Sequence, residues 1–553
     1  MKKPNWKIGF SGLNMSAKSI LDNILKNRGI EDVKEFLNPS LTYLYSSNHF
    51  ENIEKAAQLI LNASHILIYA DTDTDGCAAA SIMYRYLNAY DEDHFMKFTT
   101  DLYINRGKDH GIQDYFKCAD YIDTIIIVDS INDDEKYYDS LISAGKNIVV
   151  LDHHIIQPEV LAINSPNFAI VSSANNYPNP QLSGAGVVWK FCRYLDLVSN
   201  TYYSDTLVDL AAVGIIADVC SVGLDAMENR AICNLGFLTL TNPALMQLCK
   251  NTEFNSLSVG FNIAPLINAA NRMDRNDLAL KLFISDDKKE IKSIIDQLSV
   301  IRAGQKEICE KVLPELIKQC DEQIENNQCL ICFTQDNYSL TGLLATRLCD
   351  TYKRPVLVLH DCEVGYQGSM RATGLDNFSA IINDSGCGLA LGHENSAGVI
   401  LYKDQLENFR VYVNDILRDC RFIEGFLVDA EISADQINPF LQDELKHINR
   451  ITGANFKPIK FCIDNIKNYE IKKLSAGKHL SVNNQSIKCV AWNFSRWDEV
   501  DSSKDFSVVG MLDENVFMGK RSNQIIIEDF NFANNEVKTE ITRYFHKDRV
   551  IWF

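Results

Sequence analysis

Three short runs of branched aliphatic residues, each closing on an acidic residue, constrain this chain more than any other feature. They are "HILIYAD" from His65, "TIIIVDS" from Thr124 and "NIVVLDHH" from Asn147. Helix-compatible stretches such as "CAAASIMYRYLNAY" separate them. Short, wholly apolar strands alternating with helices predict a parallel α/β sheet covered on both faces. Open sheets of that kind bind ligands beyond the carboxyl ends of their strands. The acids that close these runs therefore belong to one candidate site.

The first strand leads into "DTDTDG", which carries Asp71, Asp73 and Asp75 ahead of Gly76. Carboxylates two residues apart on an extended backbone point the same way, so the three are expected to converge. Asp129 closes the second strand, and Asp152, His153 and His154 close the third. Asp218 ends the apolar helical run "VDLAAVGIIADV". A lone aspartate after a strand is ordinarily a turn former or helix cap. Four such ends in one α/β unit exceed that reading. Clustered carboxylates repel unless cations neutralise them. Aspartate with neutral imidazole suits manganese, magnesium or zinc, and the carboxylate excess favours manganese or magnesium at a dinuclear site.

At 553 residues the chain is too long for one ordinary core. Residues 1–60 read as a helical segment packed on the first α/β domain, 61–285. A charged, helix-periodic connector follows over 286–327, with interruptions near Gly304 and at Pro314. A second, smaller α/β domain is expected over 328–424, and a β domain, open or closed into a barrel, over 425–553. The basic start lacks the apolar core of a signal peptide, and no apolar run approaches bilayer length. A soluble cytoplasmic protein is expected. The sixteen cysteines fit a reduced compartment as small buried hydrophobes, and Cys329 and Cys332 form a lone C-x-x-C inside a strand-like run. A net charge of −19 argues against an indiscriminate nucleic-acid binder but leaves room for a local basic groove.

The ordered set "DTDTDG", "IIIVDS", "VVLDHH", "LSGAGVVWKF", "VGIIADV", "PLINAANR", "GLLATR", "GSMR" and "GHENSAG" resembles the DHH phosphoesterase superfamily, and within it the RecJ single-stranded-DNA exonucleases. That resemblance implies metal ligation by Asp73, Asp75, Asp129, His153 and Asp218, with Asp129 bridging two divalent cations. It implies that His154 contacts the scissile phosphate, that Arg272 contacts phosphate nearby, and that Asp71 and Asp152 orient ligands, with direct metal binding the alternative for Asp71. In a DHH-associated domain it implies substrate contacts from Arg347, Ser369, Arg371 and His393, the serine and Arg371 forming a pocket for a 5′-terminal phosphate. Related branches acting on short oligonucleotides carry histidine where this chain has Tyr69. Leu266 and Asn271 stand where the family has arginine and glycine, and Leu391 and Ser396 where it has glycine and alanine. The tail resembles an OB-like domain, with "ITGANFKP" keeping Gly453, Asn455 and Pro458.

Local composition in that tail adds support. Lys457, Lys460, Lys467, Lys472, Lys473, Lys478 and Lys488 face only Asp464 and Glu470, interleaved with Phe456, Phe461, Tyr469 and Trp492. That pattern predicts a basic groove with stacking platforms, or else a solvated β surface over buried aromatics. The expected activity is metal-dependent hydrolysis of single-stranded DNA from the 5′ end in repair or recombination, by a monomer working with a single-strand-binding protein and a helicase, away from membranes. The alternatives are a phosphodiesterase for short RNA or cyclic dinucleotides, and a catalytically inactive scaffold in a replication assembly.

Overall fold

A computed structural model describes residues 6–94, 98–105, 111, 118–335, 338–423, 426–484, 487–492, 494, 496–517, 520–532, 540–541 and 550–552. Its contacts divide into two units. One comprises Asp32–Lys306 with Ile448–Lys457; the other comprises Met1–Glu31, Glu307–His447 and Pro458–Phe553.

The first described element is a strand, where the sequence pattern predicts a helical segment. β1 (Trp6–Ile8) lies parallel to Phe426–Val428, with Trp6 and Ile8 buried and the Trp6 indole donating to Asp529 Oδ2 at 2.7 Å. The expected segment of residues 1–60 is therefore split. Only its later part, from Asp32, joins the unit carrying the acidic strand ends. There the Tyr45 amide donates to buried Glu228, and the Ser47 hydroxyl to the Lys190 carbonyl.

That unit is built on a five-stranded, all-parallel sheet. β2 (His65–Ala70), β3 (Thr99–Ile104), β4 (Thr124–Val128), β5 (Asn147–Asp152) and β6 (Phe168–Ser172) take the order β3-β2-β4-β5-β6. β4 is buried throughout, as the run "TIIIV" demands of a strand with helices on both faces. The strand order reverses between β2 and β4, and a doubly wound sheet opens its ligand crevice at such a switch point. α1 (Thr74–His94) follows β2. Its Ala78, Ala79 and Ala80 are fully buried, and side chains that small let α2 (Gly184–Ser199) and α3 (Val208–Ala217) pack closely. α4 (Ala264–Arg272) lies further along the chain in the same unit.

The expected connector is one helix, α5 (Lys288–Gln323), running without interruption through Gly304 and Pro314. Around the proline, Cys309, Leu316 and Cys320 are buried and Val312 and Leu313 pack against the same core. Packing outweighs the lost backbone bond, which is why local propensity misplaces a break there.

The other unit contains a mixed sheet of β7 (Leu330–Phe333), β8 (Val356–Cys362), β9 (Gly365–Arg371), β10 (Gly388–His393) and β11 (Ser396–Tyr402), ordered β10-β11-β9-β8-β7. α6 (Thr341–Tyr352) packs on β8 and β9. Cys329 and Cys332 enter different apolar clusters, so the C-x-x-C cannot chelate as a pair. A seven-stranded mixed sheet completes this unit, with Phe506–Phe517 and Lys520–Phe532 paired antiparallel at its centre. The segment Ile448–Lys457, expected within this β domain, joins the first unit instead. No helix among the described residues is long and apolar enough to cross a membrane.

Candidate metal centre

The acids at the strand ends meet at the switch point, though not as one extended row. Asp71 and Asp73 leave β2, but α1 begins at Thr74, so Asp75 sits in its first helical turn. Asp73 occupies the helix N-cap position: its Oδ1 accepts the Gly76 amide at 2.9 Å and its carbonyl the Cys77 amide at 3.0 Å. The turn separates the three carboxylates. Asp71 and Asp73 group with Asp129, whereas Asp75 groups with His153 and Asp218.

Asp129 and His153 join these groups. Asp129 follows β4 in a left-handed conformation, φ 53°, and also groups with Asp152, His153 and His154. His153 Nε2 lies 3.2 Å from Asp129 Oδ1 and 3.7 Å from Asp218 Oδ2. Asp129 Oδ1 is buried and accepts no hydrogen bond from the described residues. A buried carboxylate oxygen left in that state is one that a bound cation would satisfy. Asp152 is engaged otherwise. One oxygen accepts the His153 and His154 amides and lies 2.7 Å from His154 Nδ1, while the other accepts the Ile131 amide.

Two glycines make this convergence sterically possible. A Cβ at Gly184 would sit 2.4 Å from Asp129 Oδ1, and one at Gly214 would sit 2.1 Å from Asp75 Oδ1. Asp75 also caps α2, accepting the Gly184 and Ala185 amides at 2.7 and 3.0 Å. Asn268 on α4 accepts both the amide and hydroxyl of Thr74, at 3.1 and 2.9 Å, and so fixes the "DTDTDG" turn. Arg272 stands one helical turn beyond Asn268. The motif strings contain Gly184, Gly214 and Asn268, but their spacing carries no sign of partners tens to hundreds of residues away.

Electrostatics point the same way as the geometry. Burial, then the charges of Asp71 and Asp218, push the Asp73 carboxyl up to about 7. Burial and neighbouring aspartates raise Asp75 and Asp129 well above the ordinary range. Burial alone would lower His154, but the charge and hydrogen bond of Asp152 outweigh it and push the imidazole up to about 9. Without cations such a cluster holds protons; divalent ions displace them. Oxygen donors with imidazole fit manganese or magnesium.

The residues expected to hold a terminal phosphate also converge, in the other unit. Ser369 is buried on β9 with its hydroxyl 3.1 Å from Thr341 Oγ1 at the start of α6. A Cβ at Gly342 would lie 3.0 Å from Arg371 Nη2 and 3.4 Å from Ser369 Oγ, so the glycine clears this corner. Arg371, Ser396 and exposed His393 stand in register across β9, β11 and β10, and Arg347 is half-buried further along α6. Leu266 and Asn271 are both buried on α4, and neither polar atom of the Asn271 side chain has a hydrogen-bond partner among the described residues.

The basic tail is less free than its sequence implies. Lys460 pairs with Glu528, Lys467 with Asp505 and Lys472 with Glu470, while Lys473 lies over the Trp497 ring. Phe456 and Phe461 are core residues, whereas Trp492 is exposed. Gly453 and Asn455 belong to the first unit, where Asn455 donates to Ser221 and Asp225, just beyond Asp218.

Two family models match the chain: the DHH family N-terminal domain over 65–215 and the RecJ OB domain over 428–529. A putative SPbeta prophage-derived single-strand DNA-specific exonuclease, YorK of Bacillus subtilis, is 27% identical across 94% of this chain and 97% of its own length. The single-stranded-DNA-specific exonuclease RecJ of B. subtilis is 26% identical across 92% of this chain and 67% of its own. The crystal structure of Thermus thermophilus RecJ in complex with Mn2+ superposes with a TM-score of 0.75 at 21% identity, covering 96% of this chain and 80% of that one. Family models, relatives and fold agree with the strand-end cluster: residues 65–215 match the DHH family N-terminal domain, residues 428–529 match the RecJ OB domain, and the chain as a whole is RecJ-like.

Proposed function

We propose that this protein is a divalent-metal-dependent nuclease that hydrolyses single-stranded DNA from its 5′ end. The observation that carries the reading is the meeting of Asp71, Asp73, Asp75, Asp129, His153 and Asp218 around Asp129 Oδ1, buried and without a hydrogen bond from the described residues. Relatives named as single-stranded-DNA-specific exonucleases along nearly the whole chain support the substrate class.

Asp73, Asp75, Asp129, His153 and Asp218 would hold two cations, manganese in preference to magnesium, with Asp129 shared between them. Bound cations of this kind neutralise phosphate charge and supply an activated water at neutral pH. Asp152 keeps the His154 imidazole fixed, and its protonated form donates a hydrogen bond to a non-bridging phosphate oxygen. Arg272 adds charge next to that phosphate. Ser369, Arg371 and Arg347 hold the 5′-terminal phosphate, the arginines as planar forks that suit its oxygens, and His393 donates a hydrogen bond to the phosphate chain. Buried Tyr69 donates to Asn105 and to the Gly111 carbonyl, so it serves a polar network where other branches carry a histidine. A monomer in the cytoplasm, acting in repair or recombination beside a helicase and a single-strand-binding protein, fits this activity.

The test uses end-labelled single strands with one terminus blocked, supplied with manganese. Degradation should persist with a blocked 3′ end and stop with a blocked 5′ end. Asp129→Ala, checked for an unchanged melting temperature under chelation, should lose nearly all turnover. Equal degradation from both ends would refute the polarity, and full activity of the variant would refute the site.

A further inference from the structure

Helix α3 delivers Asp218 at its C-cap, and the residue after it is out of place. The Cys220 amide donates to the Ile215 carbonyl at 3.1 Å and the Val219 amide to that of Ile216 at 3.2 Å. This pair of bonds is the Schellman ending, whose left-handed position is ordinarily glycine. Here Val219 occupies it, with φ 57°. A β-branched side chain is a poor occupant of that region, because Cβ crowds the following carbonyl. Burial does not repay the strain, since Val219 is 63% exposed. A strained residue that the core does not hold in place points to a requirement outside the fold.

A second exposed apolar residue adjoins the same cluster along the chain. Ile155 directly follows His154 and is 83% exposed, the most exposed large hydrophobic side chain among the described residues. The 3.7 Å approach of His153 to Asp218 brings the two chain segments together, so the exposed Val219 and Ile155 directly follow Asp218 and His154 of one cluster. A site that takes a nucleotide's phosphate on carboxylate-bound cations must leave the attached base somewhere, and a base offers apolar faces. Aliphatic groups held out in water at such a site gain free energy by covering one.

Resting on the nuclease reading above, we propose that Val219 and Ile155 form an apolar rim that packs against the base of the nucleotide held at the metal centre. They bind and position substrate without selecting its sequence, because every base has such a face. The left-handed backbone at Val219 is retained because it turns the side chain outward.

Val219→Gly separates the two roles, since glycine removes the side chain and suits the backbone. The variant should melt at the same or a higher temperature than the unaltered protein and keep its manganese affinity. With manganese and single-stranded DNA, KM should rise roughly three- to tenfold while kcat stays within about twofold, as for loss of one apolar contact. Ile155→Ser, where no backbone strain is involved, should raise KM similarly. On a strand whose first three nucleotides are abasic, the unaltered protein should show the raised KM, and neither substitution should add to it. An unchanged KM on natural DNA for both variants, or an equal rise on abasic and natural strands, would overturn the rim. Failure of the unaltered protein to degrade single strands would overturn the nuclease reading, and the rim with it.

Discussion

Gly214 shows how little room the centre leaves. Its added Cβ would meet Asp75 Oδ1 at 2.1 Å and Ala185 Cβ at 2.5 Å, so Gly214→Ala must move the carboxylate or the capped start of α2. Overpacking of this kind costs about 1–3 kcal/mol. Displacing a catalytic group by about 1 Å costs on the order of a hundredfold in rate. The variant should remain folded by circular dichroism, lose stability within that range and lose activity of about that order in manganese. Wild-type turnover would show that Asp75 tolerates the shift. At this scale the sequence is unevenly legible. Asp73, Asp129, His153 and Asp218 can be named because strand and helix ends announce themselves in the pattern. Gly214 and Asn268 act on Asp75 and Thr74, a closeness across the sequence that only the folded chain creates.

Elements are legible where burial and period agree, and obscured where local propensity opposes packing. The strands β2, β4 and β5 are plain because both faces are covered and nearly every position is apolar. Alternation makes "DTDTDG" extended, but the Asp73 cap starts α1 inside the motif, which parts Asp75 from Asp71. Propensity makes Pro314 a break, yet α5 continues through it. An interior proline costs a helix about 3 kcal/mol, while its rigidity in the unfolded chain returns about 0.4–1 kcal/mol. Pro314→Ala should therefore raise the stability of this protein by about 2 kcal/mol, measured as a higher urea midpoint. A lowered midpoint would mean that the proline is needed where it stands.

Whole-molecule organisation is least visible, because composition divides a chain only into consecutive stretches. β1 pairs with a strand that begins at Phe426, and Ile448–Lys457 returns to the first unit. No linear composition shift reports such exchanges. The tail lysines mislead for the same reason, since Glu528 and Asp505 lie outside the stretch that carries them. Stability should also carry the signature of the acidic centre. Burial and neighbouring charge raise Asp73 from its ordinary 3.8 to about 7, and Asp152 raises His154 to about 9. The folded, metal-free protein thus holds protons that the unfolded chain releases. That contribution is full below the ordinary values and is lost as pH rises through the folded ones. Under chelation the melting temperature should fall from about pH 5.5 to about pH 8, and manganese should recover more of it at the higher pH. A rise over that interval would contradict the buried-cluster electrostatics.

The proposed nuclease depends on residues from the ends of β2, β4, β5 and α3 binding a pair of divalent ions. Calorimetric titration of the chelator-treated protein with manganese tests it most directly. Two ions should bind per chain, and Asp129→Ala, folded by the same melting criterion, should lose at least one together with turnover. Uptake of no manganese, or two ions bound unchanged after that substitution, would contradict it.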